Sequence, residues 1–403
     1  MSLERLRQAL DAFDEPACCE GSHRLAERLA IVLPDGDIGV ADEPTFVPWL
    51  HAHAEAAPYG HGGETKLDGA VRNALRLRAR GAVQVAGFDP SAVLGEIEAA
   101  LSPRSHLVAT LTDVIVYPIG GHFTPHRDTP LSPDLIGTLV VGLPIEHAGG
   151  GFEVDDGDEP RVVEWGGPVD PTLVRWVALF GDVDHAVHPV ISGTRVTLVY
   201  ALALSDRFRD DPAWYARVRA LDAAARRLEL PPGGPLMIAC SRHVIGIDGE
   251  QPLGMHALRG ADRDVAKVLA SRGFAVAVRT CVVAREYNAA FDRPPTRFRP
   301  DGELYFARLA RPLLEADIAA MVDCVVFENP WGGDGGGYLD DEFTTLEPYI
   351  VDTVPVDRWI LRRRAAATFV RDVDFAGDGF LGNGATESFL YKLAALEVTT
   401  PSR

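Results

Sequence analysis

Apolar positions recur along this chain in two rhythms. Near the start, Leu3, Leu6, Leu10 and Phe13 fall at helical spacing, as do Leu25, Leu29 and Val32. Pro58-Tyr59-Gly60-His61-Gly62-Gly63 interrupts with turn formers before Leu67 to Arg78 resumes, so residues 1–80 read as a mainly helical N-terminal region. From about Ala82 the rhythm changes. Val83 and Val85 open a strand-like alternation, and Ser91 to Leu101 reads as a helix entered through Asp89-Pro90. Between 107 and 205 the apolar runs are short and bounded by turn signals: 114–116, 139–143, 152–154, 161–164, 174–180, 185–190 and 195–202. Gly149-Gly150-Gly151 and Asp155-Asp156-Gly157-Asp158 supply hairpin turns. Many short strands at this pitch predict a sandwich or barrel rather than βαβ units.

Residues 206–403 are patterned too. Trp214 to Leu228 and Ala261 to Arg272 read as helices, with strand-like runs at 274–278, 282–283, 324–327 and 390–398. A glycine-rich acidic loop, Trp331 to Gly337 around Asp334, lies among them; it lacks the acidic spacing of an EF-hand and reads as a mobile or lid-like loop. The expectation is a second α+β region. At 403 residues the chain is long for one domain, and its 47% hydrophobic content supplies a full core.

Charge narrows the partners. With 58 acidic against 39 basic residues, a net −19 repels phosphate backbones unless a basic patch intervenes. Arg362-Arg363-Arg364, beside Trp359-Ile360-Leu361, reads as a solvated element edge, so nucleic acid is not an expected partner. No apolar run approaches the roughly 20 residues of a membrane span. The five cysteines, at 18, 19, 240, 281 and 324, form no CxxC and fit a reducing compartment. Met1-Ser2-Leu3-Glu4-Arg5 lacks a signal-peptide pattern, and the expected location is cytoplasmic. Oligomeric state is left open.

The chemistry concentrates in two segments. In Tyr117-Pro118-Ile119-Gly120-Gly121-His122-Phe123-Thr124-Pro125-His126-Arg127-Asp128, alternation along an extended strand puts His126 and Asp128 on one face, where both can grip one ion. A third ligand must come from a distant strand, and His185 in Asp184-His185-Ala186-Val187-His188 is the candidate. Two histidines and one carboxylate on one face of iron(II) leave positions open for a co-substrate and O2, whereas a closed zinc site would need a fourth ligand. Arg195 offers a planar fork that matches a carboxylate, and Thr197 shares its face. His188 lies three residues from His185 and points the other way; His122 is expected to border the pocket. His51 and His53, if helical, stand about 200° apart and cannot share an ion, so neither they nor His61 form a metal cluster.

Tyr-Pro-x-Gly-Gly-x-Phe-x-x-His-x-Asp, followed by His-x-Val-x-Pro-Val-x-x-Gly-x-Arg-x-Thr, resembles the prolyl 4-hydroxylase-like branch of the Fe(II)/2-oxoglutarate dioxygenases. The resemblance spans 107–205, about a quarter of the chain. It implies an iron triad of His126, Asp128 and His185, with Arg195 as the 2-oxoglutarate anchor. Tyr117 matches a tyrosine that contacts the co-substrate, Thr138 a threonine behind the pocket, and Gly149-Gly150 with Phe152 the Gly-Gly turn. Where some relatives carry a second tyrosine, this chain has Gly142. The implied fold is α+β: a double-stranded β-helix (jelly-roll) core within 81–205, flanking helices, and a C-terminal region 206–403 that a degenerate second β-helix would fit. The implied reaction consumes 2-oxoglutarate and O2, releases succinate and CO2, and hydroxylates an unactivated C–H. Its carrier is a protein residue such as proline, a free amino acid or a small metabolite. Two alternatives remain open: a non-catalytic β-helix that binds a metal or 2-oxoglutarate and acts as sensor or scaffold, and a cupin-type metal enzyme without 2-oxoglutarate.

Overall fold

The computed structural model describes residues 2–13, 16–61, 64–79, 83–128, 134–155, 160–242, 254–258, 260–288, 304–309, 350–362, 367–374 and 386–401. The chain divides into two compact units: Glu15–Trp214, and Met1–Asp14 with Tyr215–Arg403.

In Glu15–Trp214 the chain passes back and forth between two antiparallel sheets. Ser105–Tyr117, Leu135–Gly142, Leu173–Phe180 and Arg195–Phe208 belong to a seven-stranded sheet, edged by Cys18–Arg24 on one side and by Leu75–Arg78 and Glu55–Ala56 on the other. His122–His126, Phe152–Asp155 and Asp184–Val187 belong to a five-stranded sheet, edged by Arg161–Val163 and Arg72–Asn73. Both sheets feed one apolar core that holds Leu139, Val141, Phe152, Val154, Leu179 and Leu198. Each such side chain, fully buried, contributes about 1.5–3 kcal/mol. The Ser91–Leu101 helix buries Val93, Ile97 and Leu101, four residues apart on one face, and packs on the seven-stranded sheet. Asp89 starts it by accepting from the Ser91 amide at 2.8 Å.

The N-terminal region departs from the helical expectation for 1–80. Among its described residues only Ser2–Asp11 and Phe46–His53 are α-helical, and the other regular elements are strands. Cys18–Arg24 pairs along its whole length with Leu173–Phe180, and only every other residue tends inward, so period two prevails over the helical placement of Leu25, Leu29 and Val32. The 67–78 segment becomes Arg72–Asn73 and Leu75–Arg78, each recruited by a neighbouring strand. Residues 15–80 therefore join the same compact unit as 81–205 instead of standing apart.

In the other unit, Ala275–Asn288 pairs from end to end with Thr386–Thr399, and Leu236–Ala239 lies antiparallel to the latter and parallel to Trp359–Ile360. One sheet is present among the described residues of this unit. Arg362 corrects the solvated-edge expectation: it is buried, with Nη1 2.6 Å from the buried Asp262 carboxylate, because that carboxylate needs a counter-charge. Arg363, Arg364, the 324–327 run with Cys324, and the Trp331–Gly337 loop with Asp334 lie outside the described residues, as do 156–158. The described cysteines 18, 19, 240 and 281 form no disulfide with one another. No helix among the described residues is long and apolar enough to cross a membrane.

Candidate metal and carboxylate site

Strand pairing brings His126 and His185 together. His122–His126 runs antiparallel to Asp184–Val187, with His126 directly opposite His185 and a bulge between Phe123 and His126. Pro125 sits in that bulge, where its missing N–H leaves no ladder bond unmade. Asp128 lies just past the strand, its amide bonded to the Gly181 carbonyl at 3.0 Å. The ligand atoms of His126, Asp128 and His185 lie within 4.8 Å of one another, close enough to hold a metal ion. Among the described residues no other such cluster occurs.

Each ligand atom is aimed by a neighbour. His126 Nδ1 faces the Thr124 carbonyl and His185 Nδ1 the Val183 carbonyl, both at 2.9 Å. A ring that donates Nδ1–H there presents a bare Nε2 lone pair to the cluster. Burial, reinforced by His185, pushes the His126 pKa down to about 3, so its imidazole is neutral at ordinary pH. Thr138 Oγ1 donates to Asp128 Oδ2 at 2.5 Å, leaving Oδ1 facing His185 Nε2 at 3.8 Å. On the opposite strand face, Arg127 grips Asp184 through two bonds of 3.0 and 2.7 Å. That bidentate pair ties the segment carrying His126 and Asp128 to the strand carrying His185.

Arg195 is 1% exposed, and its Nε and Nη2 have no hydrogen-bond partner. Its guanidinium lies over Tyr117 at 5.2 Å and over Trp165 at 5.0 Å. Burial pulls its pKa down to about 10, which leaves it cationic at neutral pH. The Gly149-Gly150 turn makes room for it. Both glycines hold φ +70, and a Cβ on Gly150 would meet Arg195 Cδ at 2.9 Å. Gly142 carries no side chain because Trp165 occupies that space; a Cβ there would lie 2.7 Å from the indole.

Tyr117, His126, Asp128, Thr138, His185, Arg195 and Thr197 all line one cavity of about 270 Å3 between the two sheets. Thr138 contributes to it through Asp128. His122 stands apart: its ring nitrogens face the Gly120 and Ala70 carbonyls, and it does not border the cavity. His188 is engaged elsewhere, 2.9 Å from Glu153. His51 and His53 share the short Phe46–His53 helix and form no metal cluster; the side chain of His61 lies outside the described residues. Sequence reasoning missed Trp165, whose only advance signal was the bare Gly142, and the charged wall residues Arg72 and Asp113.

No family model matches the sequence, and no curated protein matches it. Solved structures are similar to part of it. An oxidoreductase of the 2OG-Fe(II) oxygenase family from Burkholderia pseudomallei is 15% identical over 50% of this chain and 91% of its own, with a TM-score of 0.26. A Pseudomonas putida prolyl-4-hydroxylase is 17% identical over 49% of this chain and 98% of its own, with a TM-score of 0.31. A Trichoplax adhaerens prolyl hydroxylase, solved with a hypoxia inducible factor peptide, is 12% identical over 50% and 91%, with a TM-score of 0.29. At such values the reading of the site rests on its own geometry.

Proposed function

We propose that this protein is an Fe(II)- and 2-oxoglutarate-dependent oxygenase built on a double-stranded β-helix in Glu15–Trp214. The strand path supports that fold, since consecutive core strands alternate between two facing antiparallel sheets. The donor set fits iron(II). Two imidazoles and one carboxylate converge from one side, which leaves coordination positions open toward the cavity.

The observation that carries the reading is the guanidinium of Arg195. A buried cation without a hydrogen-bonded counter-ion is costly, and this one borders the same cavity as the three donors. A dicarboxylate satisfies it: one end on Arg195 and Thr197, the other toward the metal. When bound, iron(II) with 2-oxoglutarate and O2 would supply the oxidising power to place one oxygen atom into a substrate C–H bond, with release of succinate and CO2. The chain's own part is positional. His126, Asp128 and His185 hold the ion, Thr138 fixes the rotation of the Asp128 carboxylate, and the apolar walls keep bulk water out. A scaffold has no use for the Arg195 fork, a sensor that binds 2-oxoglutarate would give the metal-centred band but no succinate, and a cupin-type enzyme without 2-oxoglutarate would leave the fork orphaned.

The test is spectroscopic and then chemical. Anaerobic Fe(II) and 2-oxoglutarate should give a weak visible charge-transfer band, and air should then yield succinate. With neither band nor succinate, the oxygenase reading fails. Turnover that is indifferent to Arg195→Met would favour the cupin-type alternative.

A further inference from the structure

Two charged groups in the cavity remain unused once the metal and the dicarboxylate are accounted for. Asp113 lies on Ser105–Tyr117, where the register runs Tyr117 opposite Arg195, Ile115 opposite Thr197 and Asp113 opposite Val199. Alternation puts all six side chains on the cavity face, and all six border the cavity. Asp113 thus stands four residues, about 13 Å of strand, from the Arg195 level. Its Oδ1 is buried without a hydrogen-bond partner.

Arg72 reaches in from the other sheet. Its strand pairs with His122–His126, placing Arg72 opposite Phe123. The guanidinium lies 4.5 Å from the Phe123 ring centroid, and Phe123 stacks in turn on His126 at 3.5 Å. Nη1 donates to the Pro58 carbonyl at 2.8 Å, whereas Nε is buried with no partner. Among the described residues neither Arg72 nor Asp113 forms an ion pair.

Resting on the proposed function, the charge balance then selects a substrate class. Iron(II) and the 2-oxoglutarate dianion cancel, as do Arg195 and Asp128. What faces the remaining space is one carboxylate on one wall and one guanidinium on the other. We infer that the cavity takes a small zwitterion, a free amino acid whose ammonium is read by Asp113 and whose carboxylate is read by Arg72. An internal residue of a polypeptide carries neither charge on its backbone and would leave both groups unpaired, a cost that a polar site uses to reject the wrong ligand.

The experiment uses the whole 403-residue chain with Fe(II), 2-oxoglutarate and air. Its probes are the free L-amino acids, together with their N-acetyl and C-amide forms. Succinate above the substrate-free rate and a mass gain of roughly 16 Da, the mass of one oxygen atom, are read for each. The expected result is that at least one free amino acid responds, and that blocking either end lowers kcat/KM about 10- to 100-fold, the range for hydrogen bonds to charged groups. Asp113→Asn should raise KM for the free form and add little for the N-acetyl form, with Asp113→Glu recovering part of the loss. Arg72→Gln should behave likewise toward the amide. Should a variant fail to fold, the blocked compounds decide on the unaltered protein. Equal turnover of free and blocked forms, or response to peptides alone, overturns the inference. So does a charge-transfer band with no response to any free amino acid. Absence of the band itself sinks the parent reading instead.

Discussion

Two arginines, Arg195 and Arg362, are each 1% exposed, and they are buried in opposite ways. In its own unit Arg362 bonds Asp262 at 2.6 Å and the Phe13 carbonyl at 2.9 Å. Asp262 in turn accepts from the Ser241 and Arg242 amides and from Ser241 Oγ. Arg195 instead has two aromatic faces for company, and its Nε and Nη2 point at nothing that can accept. Burial alone therefore says little about function. A buried charge answered by the protein holds a fold together, while one left unanswered beside a cavity is shaped for something that arrives from outside.

The sharpest break of this contrast is in stability. Arg362→Met strands the Asp262 carboxylate in the core and should cost about 3–5 kcal/mol in urea unfolding. Arg195→Met removes a buried charge whose Nε and Nη2 have no hydrogen-bond partner and adds apolar surface, so stability should hold or rise. Equal losses in the two variants would mean that Arg195 is structural after all. Next in size comes affinity. Arg195→Met should raise half-saturating 2-oxoglutarate about 10- to 100-fold, corresponding to about 1.5–3 kcal/mol for hydrogen bonds to a charged group. Iron titration, followed by the protein's own fluorescence, should be unchanged.

The same contrast explains what could be read from the chain. His126 and Asp128 were legible because strand alternation is a local property of a short segment, and His185 and Arg195 because the resembled motif fixes the ten-residue spacing between them. So were most core strands between 107 and 205, where turn signals bracket each run. The N-terminal strands were not. Cys18–Arg24 becomes a strand because Leu173–Phe180 offers it a free edge, and nothing within seven residues encodes a partner some 150 positions away. Arg362 failed for the same reason, since its partner Asp262 lies 100 residues off. Asp113 and Arg72 are ordinary charges in sequence and become notable only when two sheets place them on facing walls.

A smaller effect belongs to Thr138. Its hydroxyl fixes Asp128, and groups that orient metal ligands typically change affinity 10- to 100-fold. Thr138→Val keeps the shape and removes the bond, so iron should bind at least about 10-fold more weakly. Thr138→Ser should restore most of it. If Val and Ser bind iron alike, the hydroxyl is irrelevant to the ligand set.

The smallest effect tests the aromatic box that stands in for a counter-ion around Arg195. Trp165 fills the space that Gly142 leaves, and its indole lies 5.0 Å from the guanidinium carbon. A cation–π contact is worth about 0.5–1 kcal/mol at exposed sites and more when desolvated. Trp165→Leu should therefore raise half-saturating 2-oxoglutarate by only about 2- to 5-fold. Gly142→Ala attacks the same contact from the other strand, because its Cβ would lie 2.7 Å from the indole and push it aside. The two variants should then act through one contact, and combining them should cost no more than the worse of them alone. Fully additive losses would show that Gly142 and Trp165 support the anchor separately.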